Sequence, residues 1–167
     1  MVAAALLPVA LYKNKLHFLF GKENPHEKSA PGWSDFGGRI EQGETPYQAA
    51  LREGFEELSG FLGDEKQLKQ LIKKNGGTLK LKYNQYYIYI FKFDYDPEFP
   101  LYYNNNHYYM WDKIDQHSSF FDKIEIQWFT IEEMKSNRHI FRPFYREIVD
   151  LLIEKKWKFI SLLNNFL

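Results

Sequence analysis

The chain contains no cysteine, and its 22 basic residues are balanced by 22 acidic ones. Nor does it hold an apolar run long enough for a membrane span. The missing cysteine excludes disulfides, thiolate nucleophiles and thiolate metal sites, and points to a reducing, cytoplasmic setting. Zero net charge means that no global field draws the chain to nucleic acid. The opening "MVAAALLPVALY" has no basic leader and is interrupted by Pro8. It therefore reads as a first core strand rather than as a signal peptide.

What is present is apolar and aromatic. Of 167 residues, 44% are hydrophobic and 19% aromatic, enough for a single domain over 1–167 with a real core. The aromatic excess, together with ten Asn, reads as the base composition of the gene rather than as an aromatic binding surface. Charge is uneven along the chain. Residues 64–82 hold six Lys against Asp64 and Glu65, and residues 134–158 hold seven basic residues against three acids.

Apolar runs at 2–7 and 15–20, separated by "KNK", predict a hairpin, and "GKENPHEKSAPGW" predicts a loop. Thr45 followed by Pro46 marks a helix start, with the helix running to about Leu58. Residues 65–74 predict a short amphipathic helix ended by Asn75-Gly76-Gly77. Two strands flank Asn84-Gln85, residues 97–119 read as a long polar-aromatic loop, and "KIEIQWFT" resumes strand alternation. A helix is expected over 143–163, beginning at Pro143. The order predicts an α+β fold, a mixed sheet with helices packed on its faces.

The segment "GGRIEQGETPYQAALREGFEELSG", residues 37–60, gathers Glu44, Glu53, Glu56 and Glu57 around Arg52. On a helix Glu53, Glu56 and Glu57 stand at i, i+3 and i+4 and share one face. Three such carboxylates form a hard-oxygen cage suited to Mg2+ or Mn2+. Gly37-Gly38 permits close backbone approach, so a carbonyl can join the coordination sphere. Arg52 points away from the three and can pair with Glu44. Gly54 suggests that the helix lies close on a bulky aromatic neighbour, and Ser59-Gly60 suggests a helix one residue longer before its C-cap.

This segment resembles the Nudix box, Gly-x5-Glu-x7-Arg-Glu-hydrophobic-x-Glu-Glu-x-Gly-hydrophobic. Gly38, Glu44, Arg52, Glu53, Glu56 and Glu57 fill its glycine and charged positions; Gly54 and Ser59 depart from it. Six specified positions at about 6% each would arise by chance on the order of 10⁻⁵ of the time in such a chain. The resemblance implies the family's α/β/α sandwich and the metal-dependent hydrolysis of a diphosphate joined to another moiety. It implies Glu53, Glu56 and Glu57 as ligands of Mg2+ or Mn2+, with the Gly38 carbonyl as a fourth. It implies a general base at Glu53 or Glu56, or at a remote carboxylate, for which Glu125 in "FFDKIEIQWF" is the candidate, with Asp122 in the same stretch. Arg52 is counted with the catalytic group, and Arg39 and Glu44 with substrate binding.

Substrate identity lies outside the box. A small nucleotide derivative and a capped RNA 5′ end are the leading expectations, the second from a resemblance to the decapping branch found in large DNA viruses. Diphosphoinositol polyphosphates, which the lysine-rich segment would suit, and a catalytically inactive binding module are the alternatives. "NNNHYYMW", residues 104–111, offers aromatic rings for stacking a base. Arg138, Arg142 and Arg146, four apart, would form a basic stripe if helical.

Overall fold

A computed structural model describes residues 2–27 and 31–164. Strand β1 (Ala3–Tyr12) runs straight through Pro8 and is buried along almost its whole length, as a strand covered on both faces must be. It turns through Lys13 and Asn14, both at positive φ, into β2 (Lys15–Glu23). That two-residue turn matches the twist of the strands it joins. Next come β3 (Trp33–Ser34), β4 (Phe36–Arg39), α1 (Pro46–Glu57) and α2 (Glu65–Lys74). They are followed by β5 (Thr78–Tyr83), β6 (Tyr86–Lys92), α3 (Glu98–Met110), β7 (Lys123–Thr130), α4 (Ile131–Ser136), α5 (Arg146–Glu154) and α6 (Lys156–Asn164).

Seven strands form one mixed sheet. Its path is β3-β2-β1-β6-β5, with β4 paired to β1 and β7 to β2. Only β1 and β6 run parallel among these pairs. Alternation along the strands divides the core between the two faces. Ala4 and Leu6 of β1, with Tyr89 and Phe91 of β6, pack on Ala49, Ala50 and Leu51 of α1 and on Leu68 and Ile72 of α2. Leu7, Val9, Ile88 and Ile90 face Ile148, Val149 and Leu152 of α5 and Phe159 and Leu163 of α6. This is the expected α/β/α sandwich. No helix among the described residues is long and apolar enough to cross a membrane.

Three expectations are corrected. Residues 97–119 are not one loop, because α3 occupies 98–110. Its buried residues Phe99, Tyr103 and His107 stand four apart, and the Asp96 carboxylate caps its start by accepting from Glu98 N and Phe99 N. Asn and Tyr are weak helix formers, so packing against β7 decides the matter. The stretch 143–163 is a 3₁₀ turn at Pro143–Tyr145 and two helices broken at Lys155. Helix α1 does not run past the expected end either. It stops at Glu57, and Ser59 itself takes φ +52°, holding its hydroxyl 3.2 Å from the Phe120 carbonyl and 3.0 Å from His107 Nε2.

Gly54 is required by contact, although its neighbour is aliphatic rather than aromatic. A Cβ there would stand 2.6 Å from Leu6 Cδ1, so the missing side chain lets α1 settle on β1.

Candidate active site

Two elements build the site, β4 and the C-terminal half of α1. Thr45 caps α1 by accepting from Gln48 N, and Gln48 returns the bond to Thr45 N. Gly37 and Gly38 pair with Ala5 and Ala4 of β1, bringing the β4 backbone directly beneath the helix. A Cβ at Gly38 would stand 2.5 Å from the Glu53 carboxylate, so only glycine leaves room for that carboxylate against the backbone. Gly37 N donates to Glu57 Oε2 at 2.7 Å.

Arg52 is the brace of the segment. Its Nε and Nη2 grip both oxygens of Glu44 at 2.8 and 3.1 Å, a bidentate fork. Its Nη1 holds Glu53 Oε1 at 2.8 Å, and Nη2 also donates to the Arg39 carbonyl at 3.0 Å. The Arg52 hydrogen bonds hold the Glu44 carboxyl below its ordinary range. Glu44, expected at the substrate, is thus spent on the brace and on Glu41 N. Arg39 offers its carbonyl to the brace, and its side chain is exposed.

The three glutamates of one helix face do not converge on a point. Glu53 turns to Gly38 and Arg52, Glu57 turns inward to Gly37 and Lys123, and Glu56 stays exposed with Arg52 3.4 Å away. Among the described residues no three His, Asp or Glu side chains are gathered closely enough to hold an ion. Like charges on one helix turn repel; here Glu53 and Glu56 share Arg52 Nη1, while Glu57 turns away to Gly37 N and Lys123. The donor set still fits a hard cation. Glu53, Glu57 and the Gly38 backbone line one cavity of about 380 Å³ and offer only oxygen ligands.

The other walls of that cavity come from residues the sequence did not single out, among them Glu23, Asn24 and His26, from Arg142 of the expected basic stripe, and from Asp122. At the mismatch between β2 and β7, Lys22 pairs with Glu125 and Glu23 with Lys123. That irregularity turns Lys123 inward, where it is fully buried. Its ammonium bonds Glu23 and Ser34 Oγ (2.9 Å) and lies 3.8 Å from Glu57 Oε2. Arg142 adds a second cation to Glu23 at 2.7 Å. Burial raises Glu57 well above the usual carboxylate range against the pull of Lys123. Burial also raises Glu53. Asp122 is pushed up to about 6, by burial first and then by the negative charge of Glu23, Glu53 and Glu56.

Glu125, expected as the remote base, does not line this cavity. It pairs with Lys22 at 3.4 Å and borders a neighbouring, largely apolar cavity. The expected basic stripe is also absent. Arg138 is locked onto Asp150, Arg142 onto Glu23, and Arg146 donates to the carbonyls of Phe141 and His139.

Beneath the site, between β3 and β4, Asp35 is fully buried. Tyr86 donates to its Oδ1 at 2.6 Å, and Oδ2 has no partner among the described residues. Burial pushes this carboxyl up to about 6 from 3.8. The folded chain therefore keeps the proton until about pH 6, while the unfolded chain releases it near 3.8. The stability this group contributes is complete below the unfolded value and is lost as pH rises through about 6. A gap of about two pH units is worth about 3 kcal/mol. Asp35→Asn keeps an acceptor for Tyr86 and cannot ionise. Urea unfolding is expected to show the wild type losing about 2 kcal/mol relative to this variant between pH 4 and pH 7.5, the rest of the gap lying below pH 4. Parallel pH curves for the two proteins would assign the carboxyl an ordinary acidity.

The sequence matches the model of the NUDIX domain over residues 3–152. No curated protein sequence matches it. Among solved structures it is similar to an Ap4A hydrolase from C. elegans in a binary complex, at 19% identity and a TM-score of 0.53, covering 95% of this chain and 96% of that one. It is also similar to the Nudix hydrolase RenU from M. smegmatis, at 15% identity and a TM-score of 0.56, over 94% and 86% of the two chains. A bifunctional NMN adenylyltransferase/ADP ribose pyrophosphatase from Francisella tularensis, complexed with AMP and a manganese ion, matches at 21% identity and a TM-score of 0.52. There the alignment covers 91% of this chain but 42% of the other.

Proposed function

The chain belongs to the NUDIX domain family of pyrophosphohydrolases, and on that premise we propose that it cleaves the diphosphate linkage of a small nucleoside diphosphate derivative with Mg2+ or Mn2+. The observation that carries this reading is the Glu53 carboxylate pressed against the Gly38 backbone, in one cavity with Glu57 and Asp122. Glu53, Glu57 and the Gly38 carbonyl would hold the cation, with Glu56 reaching in from the exposed edge of α1. When bound there, such a cation neutralises charge on the phosphate oxygens and acidifies water.

The chain's own side chains supply the rest. Arg52, held by Glu44, fixes the orientation of Glu53. Lys123 and Gly37 N hold Glu57 by its Oε2. Arg142 gives the cavity a positive wall facing phosphate, and Arg39, exposed at the end of β4, contacts an outer phosphate. Asp122 accepts the proton of the attacking water as a remote base, the place for which Glu125 was the candidate, while Glu53 and Glu56, the bases expected on α1, act as ligands.

Nucleotide substrates are supported by the relatives named for Ap4A and ADP ribose, and manganese by the relative that carries it. A capped RNA is the second reading, and the dissolved arginine stripe weighs against it. A panel of dinucleoside polyphosphates, ADP ribose, nucleotide sugars, diphosphoinositol polyphosphates and capped RNA, with products identified by mass, tests the reading. Turnover of the nucleotide members at the diphosphate is expected. Inertness across the whole panel would make the protein a binding module.

A further inference from the structure

The neighbouring cavity, of about 560 Å³, lies between α3 and β7 and is bordered by Pro25, Asn105, Tyr108, Trp111, Ile124 and Glu125. It adjoins the acidic cavity at two places. Pro25 sits between Asn24 and His26, both of which line the acidic site. Ile124 and Glu125 follow Asp122 by two and three residues. A nucleotide with its phosphates beside Glu53 and Asp122 would thus reach this second cavity with its base.

The chemistry of the walls is specific. Trp111 packs edge-on against Phe121 with centroids 5.1 Å apart and lies parallel to the His26 ring at 5.9 Å. Its indole is fixed from behind while it borders the cavity, as a stacking platform requires. Tyr108 is 87% exposed, an aromatic ring left without cover at the rim. Glu125 spends only Oε2 on Lys22, and Oε1 has no partner among the described residues. Asn105 makes no side-chain hydrogen bond among those residues, whereas Asn104 beside it is tied through both its amide atoms to Ile126.

An ionised carboxylate only accepts hydrogen bonds. A planar base placed here must therefore present donors to Glu125. Guanine offers two adjacent ones, N1–H and N2–H, which match the free Oε1 and the second lone pair of Oε2, beside Lys22, as a fork. Adenine offers a single amino group and turns the N1 lone pair toward the same carboxylate. We propose that the cavity between α3 and β7 is a nucleobase site selective for guanine, with Trp111 as the stacking surface and Glu125 as the residue that reads the base edge. Asn105, with both donors and an acceptor free, meets the remaining polar edge of the ring.

The selectivity rests on the nucleotide-hydrolase reading, and binding separates the two. Calorimetric titration of GDP and ADP without turnover is the measurement, on the wild type, Glu125→Gln and Tyr108→Ala. GDP is expected to bind about tenfold more tightly than ADP to the wild type. Glu125→Gln should weaken GDP about tenfold and leave ADP unweakened, since a glutamine amide can also pair with adenine. Tyr108→Ala, which strips the rim ring from the same cavity as Trp111, should weaken both together by a factor of about five or more, and unchanged affinity for both would place the base elsewhere. Both side chains are exposed enough that melting temperatures should not move, and this is checked on the same samples. Equal affinity of the wild type for GDP and ADP, or a preference that survives in Glu125→Gln, would overturn the proposal. Should adenine and guanine substrates be cleaved alike, selectivity fails while the hydrolase reading stands. Should GDP bind selectively with no diphosphate cleaved, the reverse holds.

Discussion

Asp122→Asn is expected to lower turnover of a diphosphate substrate by about 10²–10⁴-fold, the usual worth of a positioned general base. The carboxylate is half-buried in the acidic cavity and makes no hydrogen bond among the described residues. Glu53 is held by Arg52 and Glu57 by Gly37 N, so both are engaged where Asp122 is not. Its acidity suits the task. Burial and the charges of Glu23, Glu53 and Glu56 raise it to about 6, so it is ionised at neutral pH yet more basic than an exposed aspartate. A base must be ionised to accept a proton, so kcat/KM should fall as the pH drops through about 6, or lower once a cation is bound nearby. Asp122→Asn should lose that acid limb together with the rate, at an unchanged melting temperature. A loss below threefold, or a limb that persists in the variant, would move the base back to the α1 glutamates.

Much of the architecture could be read from local chemistry. Thr45, Pro46 and Gln48 write the start of α1 into adjacent residues, and the alternation in "KIEIQWFT" writes β7. Helix α3 could not be read in the same way. Its stripe of Phe99, Tyr103 and His107 is helical in spacing, but the exposed Tyr102, Tyr108 and Tyr109 blur the contrast between its faces. The basic stripe failed for the opposite reason. A spacing of four is meaningful only on a continuous helix, and here the chain changes conformation at Arg142.

The site divides along the same line. The α1 segment carries Glu44, Arg52, Glu53 and Glu57 at short spacings, and the brace between Arg52 and Glu44 was foreseeable from them. The partners that complete it lie far off in sequence. Lys123 meets Glu23 a hundred residues away, through an irregularity in strand pairing that no local pattern announces. Glu125 and Asp122 are three residues apart and equally acidic on paper. Only the emergence of β7 from the loop sends one to the acidic cavity and the other to the apolar one.

The cluster at Gly38, Glu53 and Glu57 is proposed as the cation site, and the direct measurement is Mn2+ binding and diphosphate turnover by the wild type and Glu53→Gln. The glutamine keeps the size of the side chain and an acceptor for Arg52 but removes the charge that lies against Gly38. Charge neutralisation by a bound cation is worth several kcal/mol of transition-state stabilisation, so turnover should fall by at least about 10³-fold. Paramagnetic resonance should show saturable Mn2+ binding in the wild type and its loss in the variant, with folding intact. EDTA should abolish wild-type turnover, and added Mg2+ should restore it. Undiminished turnover in EDTA, or in Glu53→Gln, would contradict the account.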